Sequence, residues 1–256
     1  MSWARQIHIK SAAELQTMRE AGRINAEVLA TVKALLKPGV STADLNAAAE
    51  AVLKKHKCVS PFKGYGHPPF PTSITTSINQ ELVHGIPSKK RLLKEGDIVS
   101  IDCGTVLDGL VADSALSAGV GEISPEARNL LNVTEEALGV AIENMRVGKR
   151  TGDVSAAIQK YVESHGYHVT REYTGHGVGR QMHEGPQLPN YGRAGTGMPL
   201  KPGMTIAIEP MVLVGTAETR VLSDQWTVVS ADGSLTAHYE HSIAVTEGEP
   251  LILTVP

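Results

Sequence analysis

The stretch KEGDIVSIDCG (94–104) has a counterpart in KPGMTIAIEPM (201–211), which lies 107 residues further along the chain. In each stretch, a glycine turn precedes a short strand pattern that ends at a carboxylate, so that Asp102 corresponds to Glu209. This internal match indicates an ancient duplication and predicts a pseudo-symmetric domain. In such a domain, two acids from distant segments come to face one another.

A second match, at a constant offset of 109, joins residues 26–58 to residues 135–167. Both segments contain a helical stretch, then a glycine, then an aspartate that opens a second helix. In the first half, Ser41 or Thr42 can cap that second helix. The segments VLDGLVAD and SLTAHYEHSIAVT have the alternation and turn signals of strands. We therefore predict an α+β fold in which a central antiparallel sheet is flanked by helix pairs.

Length and composition limit what the chain does. With 256 residues and no linker-like break, it is predicted to form one domain (1–256) with halves at about 12–115 and 120–250. A net charge of −3 gives no general electrostatic reason to bind nucleic acid or an anionic membrane. The apolar runs are shorter than the roughly 20 residues of a membrane helix, and MSWARQIHIK lacks the apolar core of a signal peptide. We expect a cytoplasmic protein with Cys58 and Cys103 as reduced, buried thiols.

Side chains of metal-binding type occur at five separate places with strand character. These side chains are Asp102, Asp113, His176, Glu209 and Glu240. Four carboxylates brought together would repel one another strongly, and two divalent cations would neutralise them. Oxygen ligands with one imidazole suit manganese, iron, cobalt or zinc without choosing among them. The set predicts a pair of divalent ions and a hydrolytic reaction.

The four acids differ in their local settings. Asp102 and Asp113 flank the Asp-Gly turn at 108–109, which places them on neighbouring strands, although strand-end aspartates are also common as solvated turn residues. Glu209 and Glu240 lie inside apolar strand patterns, where an unpaired carboxylate would cost several kcal/mol to bury. Metal ligation would offset that cost.

The histidines fall into two groups. His176 lies between glycines in TGHGVGR, where the backbone bends closely and leaves the imidazole accessible. His84, in VHGIP, and His183, in MHEGP, each precede a turn and are candidates for proton donors or oxyanion partners. The remaining histidines that we interpret as surface or hydrogen-bonded core residues are His8, His56, His67, His165 and His168.

Two stretches rich in proline and glycine, 60–73 and 184–203, have the character of loops. Long ordered loops in a compact domain are often functional. Both phenylalanines of the chain, Phe62 and Phe70, lie in the first stretch. We expect the two loops to wall a pocket.

Six blocks, SINQELVHGIP, IDCG, TGHGVGR, HEGP, AIEPMV and YEHSIAVT, together resemble the signature blocks of the methionine aminopeptidases in order and spacing. The likeness is to the short bacterial type I form and covers nearly the whole chain. It implies the pita-bread fold and two divalent ions (Co, Mn, Fe or Zn) held by the five side chains named above. It also implies removal of the first methionine from nascent chains by a metal-activated water, in a monomeric cytoplasmic enzyme associated with the ribosome.

The resemblance further implies roles for individual residues. Glu209 would relay a proton, His84 would contact the scissile nitrogen, and His183 would polarise the carbonyl or hold the developing oxyanion. An apolar pocket for an unbranched thioether would be lined by Phe62, Tyr65, Met182 and Trp226. These rings also fit an ordinary hydrophobic core.

The chain departs from the family pattern at four places. Leu110–Ala112 precede Asp113 where the family usually has a His-Gly pair, and such a change can alter metal affinity. Met182 replaces a common aromatic residue, and HPPFP lengthens the adjoining loop, so both bear on substrate preference. His238 replaces a more usual glutamine and, by strand parity, points to the side of Glu240, where it would tune the site.

Other functions fit the sequence less well. A pita-bread peptidase that cleaves before proline, such as aminopeptidase P or prolidase, uses a similar ligand set, but the VHGIP block favours methionine release. A binding module that has lost its metals is disfavoured by the retained ligands. The sequence has no G-x-S-x-G elbow, H-E-x-x-H motif or P-loop, which argues against other catalytic classes.

Overall fold

Helices and strands alternate in two similar runs within residues 7–256, the part of the chain that the computed structural model describes. Residues 1–6, which include part of the segment used to argue against a signal peptide and the start of the predicted domain, lie outside it. The helices of this part are α1 (Ala12–Lys33), α2 (Thr42–Lys55), α3 (Pro125–Glu143) and α4 (Thr151–Ser164). The strands of the first half are β1 (Ile74–Ile78), β2 (Glu81–Val83), β3 (Ile98–Leu107) and β4 (Leu110–Gly119). The strands of the second half are β5 (His168–Val169), β6 (Thr174–Gly177), β7 (Glu184–Pro189), β8 (Thr205–Ile208), β9 (Met211–Leu213), β10 (Thr219–Val221), β11 (Val228–Ser230), β12 (Thr236–His238), β13 (Glu240–Ala244) and β14 (Leu251–Ile252).

The helix pairs predicted from the repeat are present, and the repeated aspartates start the second helix of each pair. Ser41, not Thr42, is the N-cap of α2, and its backbone N–H donates to Asp44 Oδ2 at 3.1 Å. In the second half, the N–H of Arg150 donates to Asp153 Oδ2 at 2.7 Å. Asp44 and Asp153, which correspond to each other in the repeat, therefore each accept from an otherwise unpaired backbone N–H at the start of α2 and α4.

The central sheet is antiparallel, as predicted, and its strand order shows the pseudo-symmetry. Strands run β1-β3-β4-β13-β8-β6-β7, with β14 paired to β13. The halves meet where β4 pairs with β13, and the duplicated strands β3 and β8 lie one strand out on either side of that seam. The α+β pita-bread architecture is thus confirmed. The duplicated segments end near the seam, which brings their acids to the middle of the sheet.

The segment SLTAHYEHSIAVT was predicted as one strand, and this prediction is wrong. It breaks at Tyr239 into β12, which pairs with β9 in a small three-stranded sheet, and β13, which joins the large sheet. The repeated segment TIAIEPMV breaks in the same way, between β8 and β9. The two breaks lie side by side, because the Tyr239 N–H donates to the Pro210 carbonyl at 3.3 Å.

The second predicted loop, 184–203, differs from expectation. It begins as strand β7 at the edge of the large sheet, and only Gln187 from this stretch lines the cavity described below. The remainder packs on the start of α4 instead, since the Thr151 N–H donates to the Met198 carbonyl at 2.9 Å. Most of the stretch therefore supports a helix, and only Gln187 contributes to the wall of the pocket.

Hydrophobic side chains fill the space between each helix pair and the sheet. In the first half, Leu45 of α2 and Ile101 of β3 belong to one buried hydrophobic cluster, and in the second, Ile158 of α4 and Ile206 of β8 belong to another. Both cysteines are buried and free, as expected for reduced core thiols. In residues 7–256, no helix is long and apolar enough to cross a membrane.

Candidate metal centre

A cavity of about 370 Å³ lies over the middle of the large sheet, at the seam between the halves. Every side chain that the sequence predicted for the site lines this cavity. These residues are Phe62, Tyr65, His84, Asp102, Asp113, His176, Met182, His183, Glu209, Trp226 and Glu240. The structure therefore brings together segments that are up to 178 residues apart in the chain. The histidines interpreted as surface or core residues lie elsewhere.

The predicted metal ligands form a compact group on the cavity floor. Asp113, His176 and Glu240 are buried and each offers a ligand atom within 4.8 Å of the others. The His176 Nε2 atom lies 3.8 Å from Asp113 Oδ2 and 3.6 Å from Glu209 Oε1. Asp102 is close enough for its charge to raise the pKa of Glu209. These spacings exceed hydrogen-bond lengths and suit atoms that share a small cation.

The strand pairing explains how four of these side chains converge. Asp102 and Asp113 lie on β3 and β4, joined by the predicted turn at 108–109, with Asp102 opposite Ala115 and Asp113 opposite Gly104. Glu240 begins β13 and is paired with the same Ala115. His176 is on β6, opposite Ala207 of β8.

The glycines around His176 let strands approach closely. A Cβ atom on Gly175 would lie 2.6 Å from the Ala207 carbonyl oxygen, and one on Gly177 would lie 2.2 Å from that of Gly185. Either contact is too short for any side chain, so β6 needs glycine on both sides of the histidine. The imidazole is thereby held close to the backbone of β8, next to Glu209.

The backbone break at Glu209 is itself fixed by a buried side chain. Asn190 is fully buried, donates to the Glu209 carbonyl at 2.9 Å and accepts from the Met211 N–H at 2.6 Å. It therefore satisfies the backbone on both sides of Pro210, where the chain leaves the large sheet for the small one. These two hydrogen bonds consequently fix the backbone that carries the Glu209 carboxylate.

The electrostatics of the group call for positive charge. Burial raises the pKa of Asp102 to about 7 and, together with the neighbouring carboxylates, raises the pKa values of Asp113 and Glu240 well above their usual range. Among the buried atoms of residues 7–256 without a hydrogen-bond partner are Asp102 Oδ1, Asp113 Oδ1 and Glu240 Oε1. Orphaned, buried carboxylate oxygens are costly unless they are neutralised or coordinated. A divalent cation fits this set of donors.

The imidazole of His176 has the orientation of a metal ligand. Its Nδ1 lies 2.9 Å from the Gly177 carbonyl oxygen, which can only accept, so the proton is on Nδ1 and the lone pair is on Nε2. Burial lowers the pKa of His176 to about 3, which keeps the ring neutral at pH 7. Nε2 is the atom that faces Asp113 and Glu209.

Two more histidines stand over the ligand group. His183 stacks at a tilt on His176, with 4.3 Å between ring centroids, and its Nδ1 lies 2.6 Å from the Tyr65 hydroxyl. His84 has a φ of 61°, a strained backbone angle of a kind that clusters at functional sites. Burial lowers the pKa of both histidines to about 4. Both rings are therefore neutral at pH 7 and each carries one N–H donor.

The apolar wall is built around Trp226. Its indole packs edge-on against Phe70 at 5.2 Å and His84 at 6.1 Å, and its Nε1–H donates to the Pro68 carbonyl at 3.0 Å. Gly66 has a φ of +74°, and a Cβ there would lie 2.6 Å from the indole. The HPPFP segment is thus fixed against the tryptophan, as one wall of the cavity.

Known proteins similar to this chain agree with this geometry. Residues 16–247 match the model of metallopeptidase family M24. The chain belongs to metallopeptidase family M24. Family membership and the donor set together indicate a site for divalent metal.

Two relatives show which branch of the family this M24 metallopeptidase resembles. It is 51% identical to the methionine aminopeptidase of Clostridium acetobutylicum over 97% of its own length and 99% of the relative's. The crystal structure of a methionine aminopeptidase from Thermotoga maritima superposes with a TM-score of 0.95 at 45% identity, covering 98% of this chain and 100% of that chain. The resemblance predicted from the six sequence blocks is confirmed.

The proline-specific branch shares the architecture. A prolidase from Pyrococcus furiosus superposes with a TM-score of 0.78 at 21% identity, covering 97% of this chain and 65% of that chain. At that identity the likeness shows the fold alone. Proteins with different substrate preferences therefore share the pita-bread architecture.

Sequence reasoning missed part of the lining of this M24 metallopeptidase. Tyr173 contacts His84 with 5.9 Å between ring centroids, and Thr75 of β1 lies directly opposite Asp102. The other lining residues not predicted for the site are Phe70, Val83, Glu172, Thr174, Gln187 and Met211. Thr75 was detectable in principle, because β1 precedes the duplicated strand, whereas Tyr173 lies next to His84 only through tertiary packing.

Proposed function

We propose that this chain is a methionyl aminopeptidase, which removes the first methionine from nascent proteins and peptides whose second residue is small. One observation carries the proposal: a cluster of buried acids with a histidine forms the floor of a cavity whose wall is apolar and aromatic. The floor has the donors for divalent ions, and the wall suits an unbranched thioether. The methionine aminopeptidases among its relatives support the same activity.

In this proposal, Asp102, Asp113, His176, Glu209 and Glu240 hold two divalent ions, with cobalt, manganese, iron and zinc all compatible with the donor set. When bound, such ions acidify water, so that a nucleophile is available near neutral pH, and polarise a carbonyl. The orphaned oxygens of the aspartates and of Glu240 support their roles as ligands.

We assign the proton transfers to side chains of the chain itself. Glu209 is only partly buried, with 13% of its side chain exposed, and it lines the cavity. Its carboxylate would accept a proton from the attacking water and return it to the departing amine. A carboxylate whose pKa is raised by burial and by Asp102 is suited to such a relay, since it releases the proton less readily than an exposed acid.

The two neutral histidines would act as hydrogen-bond donors. His183, next to His176, would donate to the substrate carbonyl oxygen as negative charge develops on it. His84, beside Tyr173 and Trp226, would contact the scissile nitrogen. Because burial depresses the pKa of both rings, neither adds a positive charge that would repel divalent ions.

The substrate would enter with its amino end first. A free amino terminus is a cation, and Asp102 with its neighbouring acids provides a negative site for it at the cavity floor. The methionine side chain would lie against Phe62, Tyr65, Met182 and Trp226, which line the same cavity. Methionine fills irregular apolar space well, because its thioether is flexible and polarizable.

We further propose that the enzyme is a monomer in the cytoplasm and works at the ribosome. New amino termini first become accessible as nascent chains leave the ribosome, so an enzyme that trims them would gain from that location. Cosedimentation of the purified protein with ribosomes, at low and at high salt, tests the association. Recovery of all protein in the supernatant at both salt concentrations would remove this part of the proposal.

The activity is tested with peptides on protein stripped of metal and reloaded with manganese or cobalt. We expect release of methionine from Met-Ala-Ser, and no cleavage of peptides with a bulky first residue followed by proline. The reverse preference would identify a proline-specific peptidase, and no turnover with any metal would identify a binding module. His168→Gln, at an exposed site on β5, should match the wild type, whereas His84→Ala should lower kcat sharply.

A further inference from the structure

His238 lies directly behind the proposed metal ligands. It is 2% exposed and does not line the cavity, so it cannot contact a substrate there. Its Nε2 atom lies 3.6 Å from Glu209 Oε2 and 3.8 Å from Glu240 Oε2. This Nε2 is a buried polar atom without a hydrogen-bond partner, which requires an explanation.

The position of this imidazole is fixed by the backbone. The His238 N–H donates to Ser117 Oγ at 3.0 Å, and the same hydroxyl donates to the His238 carbonyl at 2.8 Å. Strand β12 also pairs His238 with Met211, two residues beyond Glu209. The His238 and Glu209 side chains therefore project from two adjacent strand breaks. The pairing of β12 with β9 sets the distance between them.

The negative charges around Nε2 decide which tautomer of the His238 ring is favoured. A lone pair on Nε2 would point at two carboxylate oxygens and be repelled by both, whereas an N–H there is attracted by both. His176 differs, because the Gly177 carbonyl holds its proton on Nδ1 and directs its lone pair at the acids. The His176 imidazole thus lies near Glu209 Oε1 as a proposed metal ligand. The His238 imidazole lies near Glu209 Oε2 as a hydrogen-bond donor.

We propose that His238 is a positioning residue whose Nε2–H donates to Glu209 Oε2, with Glu240 as the secondary acceptor, and so keeps Glu209 Oε1 directed at His176. This inference rests on the proposed role of Glu209 as metal ligand and proton relay. The separation of 3.6 Å closes to a hydrogen bond with a small side-chain movement, as happens when catalytic sites tighten around their ligands. Outer hydrogen bonds of this kind orient metal-binding carboxylates.

The test compares three substitutions at this position with one control. His238→Leu removes the donor, His238→Asn shortens the side chain so that it cannot reach Glu209, and His238→Gln keeps an N–H donor at similar reach. His241→Gln is the control, since this partly buried histidine on β13 bonds to Thr254 Oγ at 2.8 Å and does not line the cavity. If His238→Leu does not fold, His238→Asn takes its place, and thermal melting of the metal-free protein reports folding.

We expect His238→Leu and His238→Asn to lower the affinity for Mn²⁺, measured by calorimetry, by about 10- to 100-fold. Their kcat for Met-Ala-Ser should fall by a similar factor, with KM within about twofold of the wild type. His238→Gln should restore both quantities to within a few-fold, and His241→Gln should match the wild type. A purely structural role would not be rescued by the glutamine amide.

Two results would overturn the proposal. One is a His238→Gln variant as defective as His238→Leu. The other is pulsed EPR of the Mn²⁺ protein that shows two coordinated imidazole nitrogens, one of them lost in His238→Gln, because His238 would then be a ligand. The calorimetry needs no substrate, so a wild type that binds Mn²⁺ but releases no methionine would refute the proposed function while leaving the positioning role testable.

Discussion

The Nδ1 atom of His183 lies 2.6 Å from the hydroxyl oxygen of Tyr65, in a hydrogen bond that joins the 60–73 stretch to the catalytic histidine proposed for the carbonyl. Burial lowers the pKa of His183 to about 4 and raises the pKa of Tyr65, so both groups are neutral at pH 7. With the tyrosine O–H as donor, the ring proton of His183 is on Nε2. That tautomer can donate to a developing oxyanion.

We therefore expect Tyr65→Phe to lower kcat while KM for Met-Ala-Ser changes little. The substitution keeps the ring in the pocket and removes one hydrogen bond, worth about 0.5 to 1.5 kcal/mol, which corresponds to a loss of roughly 2- to 12-fold. Tyr191→Phe, a tyrosine under the Arg171 guanidinium, is the control. A raised KM with unchanged kcat would show that Tyr65 is only part of the wall.

Metal removal should destabilise the protein. Stripping with a chelator leaves the buried acids without a counter-charge, and reloading at 100 times Kd restores about 2.7 kcal/mol per site. Differential scanning calorimetry with and without Mn²⁺ measures the shift. Equal melting temperatures in chelator and in excess metal, for several divalent metals, would contradict the metal centre.

Glu209→Gln separates the charge of this carboxylate from its role in catalysis. The variant should melt at a higher temperature than the wild type when both are metal-free, because it removes one of the mutually repelling acids of the cluster. With metal it should show a smaller stabilisation and lose nearly all turnover. Glu163→Gln, in a surface ion pair with Arg171, is the control and should change neither quantity. Full activity of Glu209→Gln would refute the proton relay.

The sequence predicted which side chains gather in the cavity more reliably than it predicted the strands that carry them. Asp102 and Asp113 follow from a two-residue turn, which fixes the register of β3 and β4 over their whole length. The breaks beside Glu209 and Glu240 were not predicted, because nearly every residue on either side of each break is buried and the burial pattern does not change at the break. Only Pro210 marked one of them. Strand parity still correctly predicted that His238 points to the same side as Glu240. Side chains two residues apart in extended chain point the same way, and the break at Tyr239 does not change this.

Packing between distant segments accounts for the rest of what the sequence did not show. The stretch 184–203 has loop composition, but its first residues complete the edge of the sheet by pairing with β6. Its later residues are held by the backbone of α4. Neither interaction leaves a local pattern, because the partners are remote in the chain.

The start of α1 should make stability depend on pH in the acid range. Glu14 accepts from the Arg180 guanidinium at 2.7 Å and from the Ser11 N–H at 2.8 Å, and these bonds, the arginine first, lower its pKa to about 2. A carboxyl whose folded pKa is depressed contributes stability above its unfolded pKa of about 4.5, and this contribution is lost as pH falls through about 2.

Glu14→Gln should accordingly be less stable than the wild type at pH 7, by about 0.5 to 1 kcal/mol because the pair is screened by solvent. The difference should shrink below pH 4.5 and approach zero near pH 2. Urea unfolding at pH 7, 5 and 3 measures it. Glu126→Gln, in the first turn of α3, serves as a matched control. A difference that is constant with pH would exclude the ion pair as its source.

Asn25 of α1 anchors the two strands that carry Asp102 and Asp113. It is fully buried, its amide N–H groups donate to the carbonyls of Cys103 and Ala112, and its Oδ1 accepts from Ser114 Oγ at 2.6 Å. Each carbonyl belongs to a residue adjacent to one of the aspartates. Asn25 therefore helps to position Asp113 where the residues preceding it, Leu110–Ala112, offer no polar side chain of their own.

Asn25→Leu, which keeps the γ-branched shape of the side chain, should destabilise the protein by about 2 to 4 kcal/mol, because three buried partners lose their hydrogen bonds at once. It should also lower Mn²⁺ affinity, since β3 and β4 are no longer held in one register by α1. Asn144→Leu, at the end of α3 with a single bond to the Val140 carbonyl, should cost about 1 kcal/mol and leave metal affinity unchanged. Urea unfolding of the metal-free proteins, together with Mn²⁺ calorimetry, distinguishes the two effects. If Asn25→Leu loses stability but binds Mn²⁺ as tightly as the wild type, the asparagine is a core residue only, and the aspartates are positioned by strand pairing alone.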